Sequence, residues 1–267
     1  MNNIHGSEGR RLDYAERWLR DGFAVCRPPA FCQSLEVEMT RAKRFIDRAK
    51  EQGIRLTYTH LMVRAAAVAL AGNPELHVIV CGNRVYRPAR VDIGLSVAGE
   101  MFMTPVLVIE GADRKTLRTI ADEIVARTPE IQDASRKMAS LLRHWGWLLP
   151  FGFLRRALLR LLRQFPQFRH RGSGTFQVSI VPGVDTFATP VFNTAAILTA
   201  GSVRERIVAE HGVPVARWTV HLTCSADHRV WDGRAAQQFL HAVRDVLETG
   251  ALESGLATES EAELRYE

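Results

Sequence analysis

Paired cysteines are missing from this chain. Cys26, Cys32, Cys81 and Cys224 are scattered through 267 residues, without the close spacing of a zinc site or the pattern of a disulfide framework. His60, His77, His170, His211, His221 and His241 show no metal-ligand spacing either, so no metal is invoked. Crossing a bilayer takes roughly 20 apolar residues, and the uninterrupted apolar run from Trp145 to Leu154 falls far short. The N-terminal MNNIHGSEGRR lacks the apolar core of a signal peptide. A reducing, cytoplasmic location is the expectation. Zinc-finger spacing and aromatic-basic strand signatures are absent, which argues against a nucleic-acid module. There is no internal repeat and no linker rich in Gly, Pro or Ser. The reading is therefore one domain over 1–250, followed by an acidic tail, 251–267, with five glutamates, little apolar content and an expectation of mobility.

What remains is an ordinary globular composition. Hydrophobic residues at 46% and charged residues at 24% suffice for a sizeable core. The net charge of +6 favours anionic ligands. Helical spacing is read over 12–23, over 40–53 with Thr40 as cap, and over 57–72, the last apolar on most faces and hence buried. Residues 77–82 and 84–89 form a hairpin around Gly82-Asn83. Strands are expected over 91–99, 102–111, 174–183, 194–208 and 216–227. A helix opens at Asp113 and closes before Pro129, and a last one covers 233–250. Strands and helices mingle without strict alternation, which predicts a large mixed sheet with helices packed on it, a two-layer α/β (α+β) sandwich.

One junction carries candidate chemistry. In SADHRVWDGR (225–234), His228 follows a strand and precedes a helix. Imidazole is the side chain best suited to exchange protons near neutral pH. Asp232 lies near the helix start, where a carboxylate suits the positive dipole end, and Gly233 permits close approach. By itself the pattern fits a surface histidine beside a capping aspartate as well as a catalytic base. Cys224 lies on the same side of its strand as His228 but some 13 Å away at strand rise; it is read as a buried core thiol.

The wider context resembles the catalytic domain of the dihydrolipoyl acyltransferases of 2-oxo acid dehydrogenase complexes and, more loosely, chloramphenicol acetyltransferase. LTCSADHRVWDGRAAQQFL is similar to the family's histidine-bearing segment. LTYTHLMVRAAAVALAGNPELH, IGLSVAGEMFMTPVLVIEGADRKTLRTIADEI, GTFQVSI and TPVFNTAAILTAGSV match other segments of that family in order. The resemblance implies a chloramphenicol acetyltransferase-like fold and His228 as the general base that deprotonates the acceptor. It implies Ser179 as a hydroxyl donor to the oxyanion, and Gly233 and Thr199 at the substrate-binding surface. Asp232 becomes a structural carboxylate paired with an arginine, Arg11 or Arg10, with Arg229 and Arg234 also near in sequence. It further implies a homotrimer in which one subunit supplies the base and its neighbour the serine. The substrate is then a coenzyme A or phosphopantetheine thioester, presented as acyl-CoA or on an acyl carrier protein, with no permanently bound cofactor. The alternative is a catalytically silent trimeric scaffold or carrier-docking subunit of the same fold.

Three departures stand out. Lipoyl and partner-binding domains are not seen. The segment after Ser179 lacks the asparagine, the glycine-rich turn and the proline pair of the family. The family's short connection before GTFQVSI is replaced by residues 130–171, in which Arg155, Arg156, Arg160 and Arg163 recur with leucines on the other face. That basic amphipathic helix is expected to pack as part of a hairpin; membrane-surface association or carrier docking through 141–171, or a lid, are the other readings.

Overall fold

The computed structural model describes residues 11–99 and 104–252. Arg10 and nearly all of the 251–267 tail lie outside the described residues. The first helix, α1 (Tyr14–Val25), starts at a capping box. The Glu16 amide donates to the Asp13 carboxylate and the Asp13 amide to the Glu16 carboxylate, both at 2.7 Å. Strand β1 runs from Ala30 to Glu38. Helix α2 (Thr40–Glu51) is capped at Met39, and the Thr40 hydroxyl instead accepts from the Trp218 amide. Helix α3 (Tyr58–Gly72) is buried on most faces, as its composition requires. The hairpin β2 (Ile79–Cys81) and β3 (Arg84–Tyr86) forms around Gly82-Asn83, with Gly82 at φ +58°.

Strands β4 (Ile93–Ser96) and β5 (Val106–Ile109) precede α4, which runs from Leu117 to Trp145. It is capped by Thr116, not Asp113, and it continues through Pro129. A proline inside a helix forfeits one backbone hydrogen bond. Here the carbonyl left over is that of Val125, on the exposed side, while flanking contacts hold the helix in place. Arg127 donates to the Val108 carbonyl, and Gln132 to the Ala98 carbonyl at 2.7 Å. A 3-10 turn (Gly146–Leu148), α5 (Gly152–Leu162) and α6 (Pro166–Ser173) follow, then β6 (Phe176–Ile180). The expected strand 194–208 is split into β7 (Ala196–Ala200) and β8 (Arg204–Glu210). Strand β9 (Val213–Asp227) and helix α7 (Gly233–Thr249) complete the described chain.

The sheet runs β1-β9-β7-β6-β4-β5, with β8 on β9. The β4–β6 and β6–β7 pairs are parallel and the others antiparallel, so the sheet is mixed. Period-two alternation separates its faces. Val37, Leu198, Val220, Leu222 and Cys224 are buried in the core shared with α3 and α7. Ser34, Ser179, Thr199, Thr223 and Ser225 lie in register on the opposite face. The Ser34 and Thr223 hydroxyls meet at 2.8 Å.

Just ahead of β4, Asp92 ties three segments together. Its carboxylate accepts from Arg90 (2.7 Å), the Gly111 amide (2.7 Å) and His170 (2.7 Å), joining β4 to α6 just ahead of β6. Burial alone would push this carboxyl up, but the hydrogen bonds outweigh it and hold the group below the usual carboxylate range. The unfolded chain therefore takes up this proton first as pH falls. The stabilisation is complete above about pH 4 and is lost as pH drops through the lower folded value. Asp92→Asn is expected to cost about 1–3 kcal/mol at neutral pH. Urea unfolding as a function of pH checks this: the gap between wild type and variant should narrow below about pH 4, and a constant gap would contradict it.

Candidate active site

The His228 segment is held by backbone and core contacts, leaving its ring free. The Asp227 amide donates to the Ala195 carbonyl and the His228 amide to the Pro29 carbonyl, at 2.8 and 2.7 Å. The Val230 and Trp231 amides both return to the Asp227 carbonyl, which makes a tight turn between β9 and α7. Trp231 anchors the turn from below: its indole donates to the Leu76 carbonyl at 3.1 Å and packs edge-on against Phe239. The His228 side chain is exposed, with the ring centroid 4.7 Å from that of Phe31. Neither ring nitrogen has a hydrogen-bond partner among the described residues. The imidazole is thus aimed outward from a rigid support.

Asp232 caps α7, accepting from the Ala235 amide at 2.8 Å. Among the described residues it pairs with no arginine, Arg11 included, so the expected Asp232–Arg11 link is corrected. Asp232 is exposed at the helix start, where an amide satisfies it. The ion pair that stiffens the turn lies one residue before His228. Asp227 accepts from the Arg229 side chain at 2.9 and 3.1 Å and from the Arg229 amide at 3.1 Å. At Gly233 an added Cβ would lie 3.0 Å from the end of the Gln33 side chain, a close approach that a shift of that flexible side chain relieves.

Ser179 sits on β6, buried, in register with Thr199. It lines a cleft of about 360 Å³ together with Phe23, Ser96, Gln177, Asn193 and Ile197. Its hydroxyl has no partner among the described residues. Thr199 does not reach that cleft. It is fully buried and donates its hydroxyl to the Phe187 carbonyl at 2.6 Å, so its expected place at a substrate surface is corrected: it fastens the 182–195 loop to the sheet. Cys224 is buried as expected, and burial pushes its thiol far up, which removes it as a nucleophile.

His228 and Ser179 do not meet within one chain. Ser179 is level with Thr199, and Thr199 with Thr223, five residues short of His228. Two strand spacings and that offset place the pair roughly 15–20 Å apart. One polar group on this face escaped the sequence reading. Ser225, in register with Ile197 of the cleft, has a buried hydroxyl without a hydrogen-bond partner. The signal was the alternation of Thr219, His221, Thr223, Ser225 and Asp227 along β9, which reads as a polar face.

The inserted segment is also positioned. Arg155 is buried and donates to Asp21 of α1 at 2.7 Å. It also donates to the Leu149 and Pro150 carbonyls, and Arg156 adds a second contact to Asp21 at 3.1 Å. Arg155 is the one buried residue of α5. The helix therefore turns part of its basic face inward, and Trp145, Trp147, Leu148, Phe151, Phe153 and Leu161 stay exposed.

The mixed sheet with helices packed on it agrees with known proteins. The family model "2-oxoacid dehydrogenases acyltransferase (catalytic domain)" matches residues 25–141 and 169–253. The chain belongs to this family, and residues 142–168 are left unmatched by it. Among curated relatives, the lipoamide acyltransferase component of the branched-chain alpha-keto acid dehydrogenase complex of Bacillus subtilis is 26% identical, over 80% of this chain and 46% of its own length. The chain thus spans about half the length of such relatives. Among solved structures, dihydrolipoamide acetyltransferase of Azotobacter vinelandii covers 93% of this chain and 95% of its own, at 20% identity and a TM-score of 0.68. That structure belongs to an investigation of the roles of a serine, a histidine and an asparagine in catalysis by that enzyme. A chloramphenicol acetyltransferase covers 89% of this chain and 96% of its own, at 16% identity and a TM-score of 0.50. The expected chloramphenicol acetyltransferase-like fold is the fold found. No helix among the described residues is long and apolar enough to cross a membrane.

Proposed function

We propose that this protein is an acyltransferase that moves an acyl group from a coenzyme A or phosphopantetheine thioester to a thiol, hydroxyl or amine. The observation that carries this reading is the outward-facing His228 ring on a turn fixed by Asp227, Arg229 and Trp231. As general base, a free Nε2 or Nδ1 takes the acceptor's proton while the acceptor attacks the thioester carbon. The tetrahedral intermediate then places a negative oxygen where a hydroxyl donor stabilises it, and Ser179 is that donor. Collapse expels the thiolate, which recovers the proton from the imidazolium.

The separation of the two groups within one chain supports a shared site, in which His228 of one copy works with Ser179 of the next in a homotrimer. Nothing in this scheme requires a resident metal or cofactor. Release of free thiol from a panel of acyl-CoAs, by wild type and by His228→Ala, tests the activity. Release that depends on His228 supports it, and identical rates from both proteins overturn the role of the base.

The outward apolar face of 141–171 supports a docking role, and a membrane surface carrying anionic lipid is the partner that fits. From Ala134 to Val184 the sequence has nine Lys and Arg and no Asp or Glu. Trp145 and Trp147 are half-exposed and Phe153 is 62% exposed, and exposed aromatics of this kind favour the headgroup region. The protein is expected to sediment with phosphatidylglycerol vesicles at low salt, to release as salt rises, and to bind them more weakly as the Trp147→Ser/Phe153→Ser variant. Equal binding by that variant, or retention by an acidic carrier protein in place of vesicles, would contradict a lipid surface.

A further inference from the structure

Beside the His228 turn, on the side of the inserted segment, lies a cavity of about 190 Å³ lined by Arg27, Arg160, Arg163, Arg169 and Arg229. Five guanidinium groups face one carboxylate, that of Asp227, and Arg229 already occupies it. The remaining four have no acidic partner among the described residues. Arg163 donates to the Asn193 side chain (2.6 Å) and the Phe192 carbonyl (2.8 Å). Arg169 donates to the Asn193 carbonyl (2.8 Å) and to the Val80 carbonyl. These acceptors are neutral: they orient the guanidinium groups without cancelling their charge. Burial and the neighbouring Arg163 push the Arg169 guanidinium below its ordinary range, as crowding of like charge requires. Arg27 and Arg160 are exposed at the rim and have no ion-pair partner among the described residues.

Concentrating positive charge in a concave wall is unfavourable unless an anion occupies it. Arginine forks match the oxygens of a phosphate group, which can accept from several of them at once. We infer that this cavity binds the phosphate group of a phosphorylated small molecule. Arg169 and Arg163, fixed by their neutral acceptors, form the floor, and Arg27 and Arg160 close over the ligand. Arg160, Arg163 and Gln164, three of the lining residues, fall within 142–168, which the family model leaves unmatched. The insertion therefore supplies part of this site's wall, while Arg27, Arg169 and Arg229 come from the matched segments. The inference concerns binding alone and stands whether or not acyl transfer is found. Its position beside His228 makes a phosphate ester of a thiol-bearing arm a natural occupant, with free phosphate as the other source of the same chemistry.

Calorimetric titration of the whole protein in low-salt, phosphate-free buffer tests it with three probes: inorganic phosphate, 4′-phosphopantetheine, and pantetheine as the form without phosphate. Binding of a phosphate-bearing probe, with Kd raised at least tenfold in Arg160→Gln and Arg27→Gln and unchanged in Arg114→Gln, supports the site. Tighter binding of 4′-phosphopantetheine than of inorganic phosphate names the ester as occupant; equal affinity names phosphate itself. Arg27 and Arg160 lie at the surface, so their replacement leaves the fold intact, and thermal melts of the variants verify this. No binding of either phosphate-bearing probe, equal binding of pantetheine, or unchanged affinity in both rim variants would overturn the inference.

Discussion

Acyl transfer by the His228→Ala protein is expected to be about 10²- to 10⁴-fold slower than by wild type, the range over which a positioned proton acceptor contributes. The loss should fall on kcat, because proton removal occurs in the transition state and the imidazole is not needed to hold the donor. Stability should barely change. The ring is exposed and stacks near Phe31, and the turn's hydrogen bonds run through the backbone and through Asp227 and Trp231. A surface substitution of this kind stays within about 0.5 kcal/mol. The pairing of a large kinetic effect with an unchanged melt is the signature sought. A steady-state assay on an accepted acyl-CoA, alongside a thermal melt, reads both. An unaffected kcat would remove His228 from the chemistry, and a lowered melt with proportionate activity would make it a structural residue.

The second large effect concerns the insertion. Arg155→Ala leaves the fully buried Asp21 carboxylate of α1 with the 3.1 Å contact from Arg156 and an exposed, longer one from Arg20 as its charged partners among the described residues. Removing one member of a buried ion pair typically costs 3–5 kcal/mol, because a desolvated charge stays behind. Retention of Arg156 places this case near the lower end, about 3 kcal/mol. For a chain of this size that corresponds to a fall in Tm of roughly 6–12 °C. The Asp21→Leu/Arg155→Met double replacement removes both charges and should recover most of the loss. Melts of the three variants decide the matter. If Arg155→Ala melts with wild type, the pair does not hold α5 to α1; if the double variant is as unstable as the single, the cost is one of packing.

The legibility of these features in the sequence followed their range. Alternation along 216–227 gave away β9 and its two faces, because every second side chain shares an environment. The apolar all-round composition of 57–72 announced a buried α3. Asp232 was readable as a helix cap from its position alone, and family resemblance located His228 and Ser179. What escaped was long-range. Asp21 and Arg155 stand 134 positions apart, so nothing local in the basic stripe of α5 marks Arg155 as buried. The structure turns Arg155 inward and leaves Phe153 and Leu161 outside. Pro129 was read as a stop, because propensity knows nothing of Arg127 and Gln132 reaching other segments from either side of it. The arginine cavity is assembled from five separate stretches of chain, and no local pattern in the sequence marks it.

The central claim is that one copy supplies the base and another the oxyanion donor, and subunit complementation tests it most directly. His228→Ala and Ser179→Ala chains, each inactive when assembled alone, are dissociated, mixed in equal amounts and reassembled. Random assortment then gives about a quarter of the shared sites an intact His228 and an intact Ser179 from different copies. The account predicts that acyl-transfer activity rises to about that fraction of wild type. Activity of the mixture no greater than the mean of its two parents would contradict it.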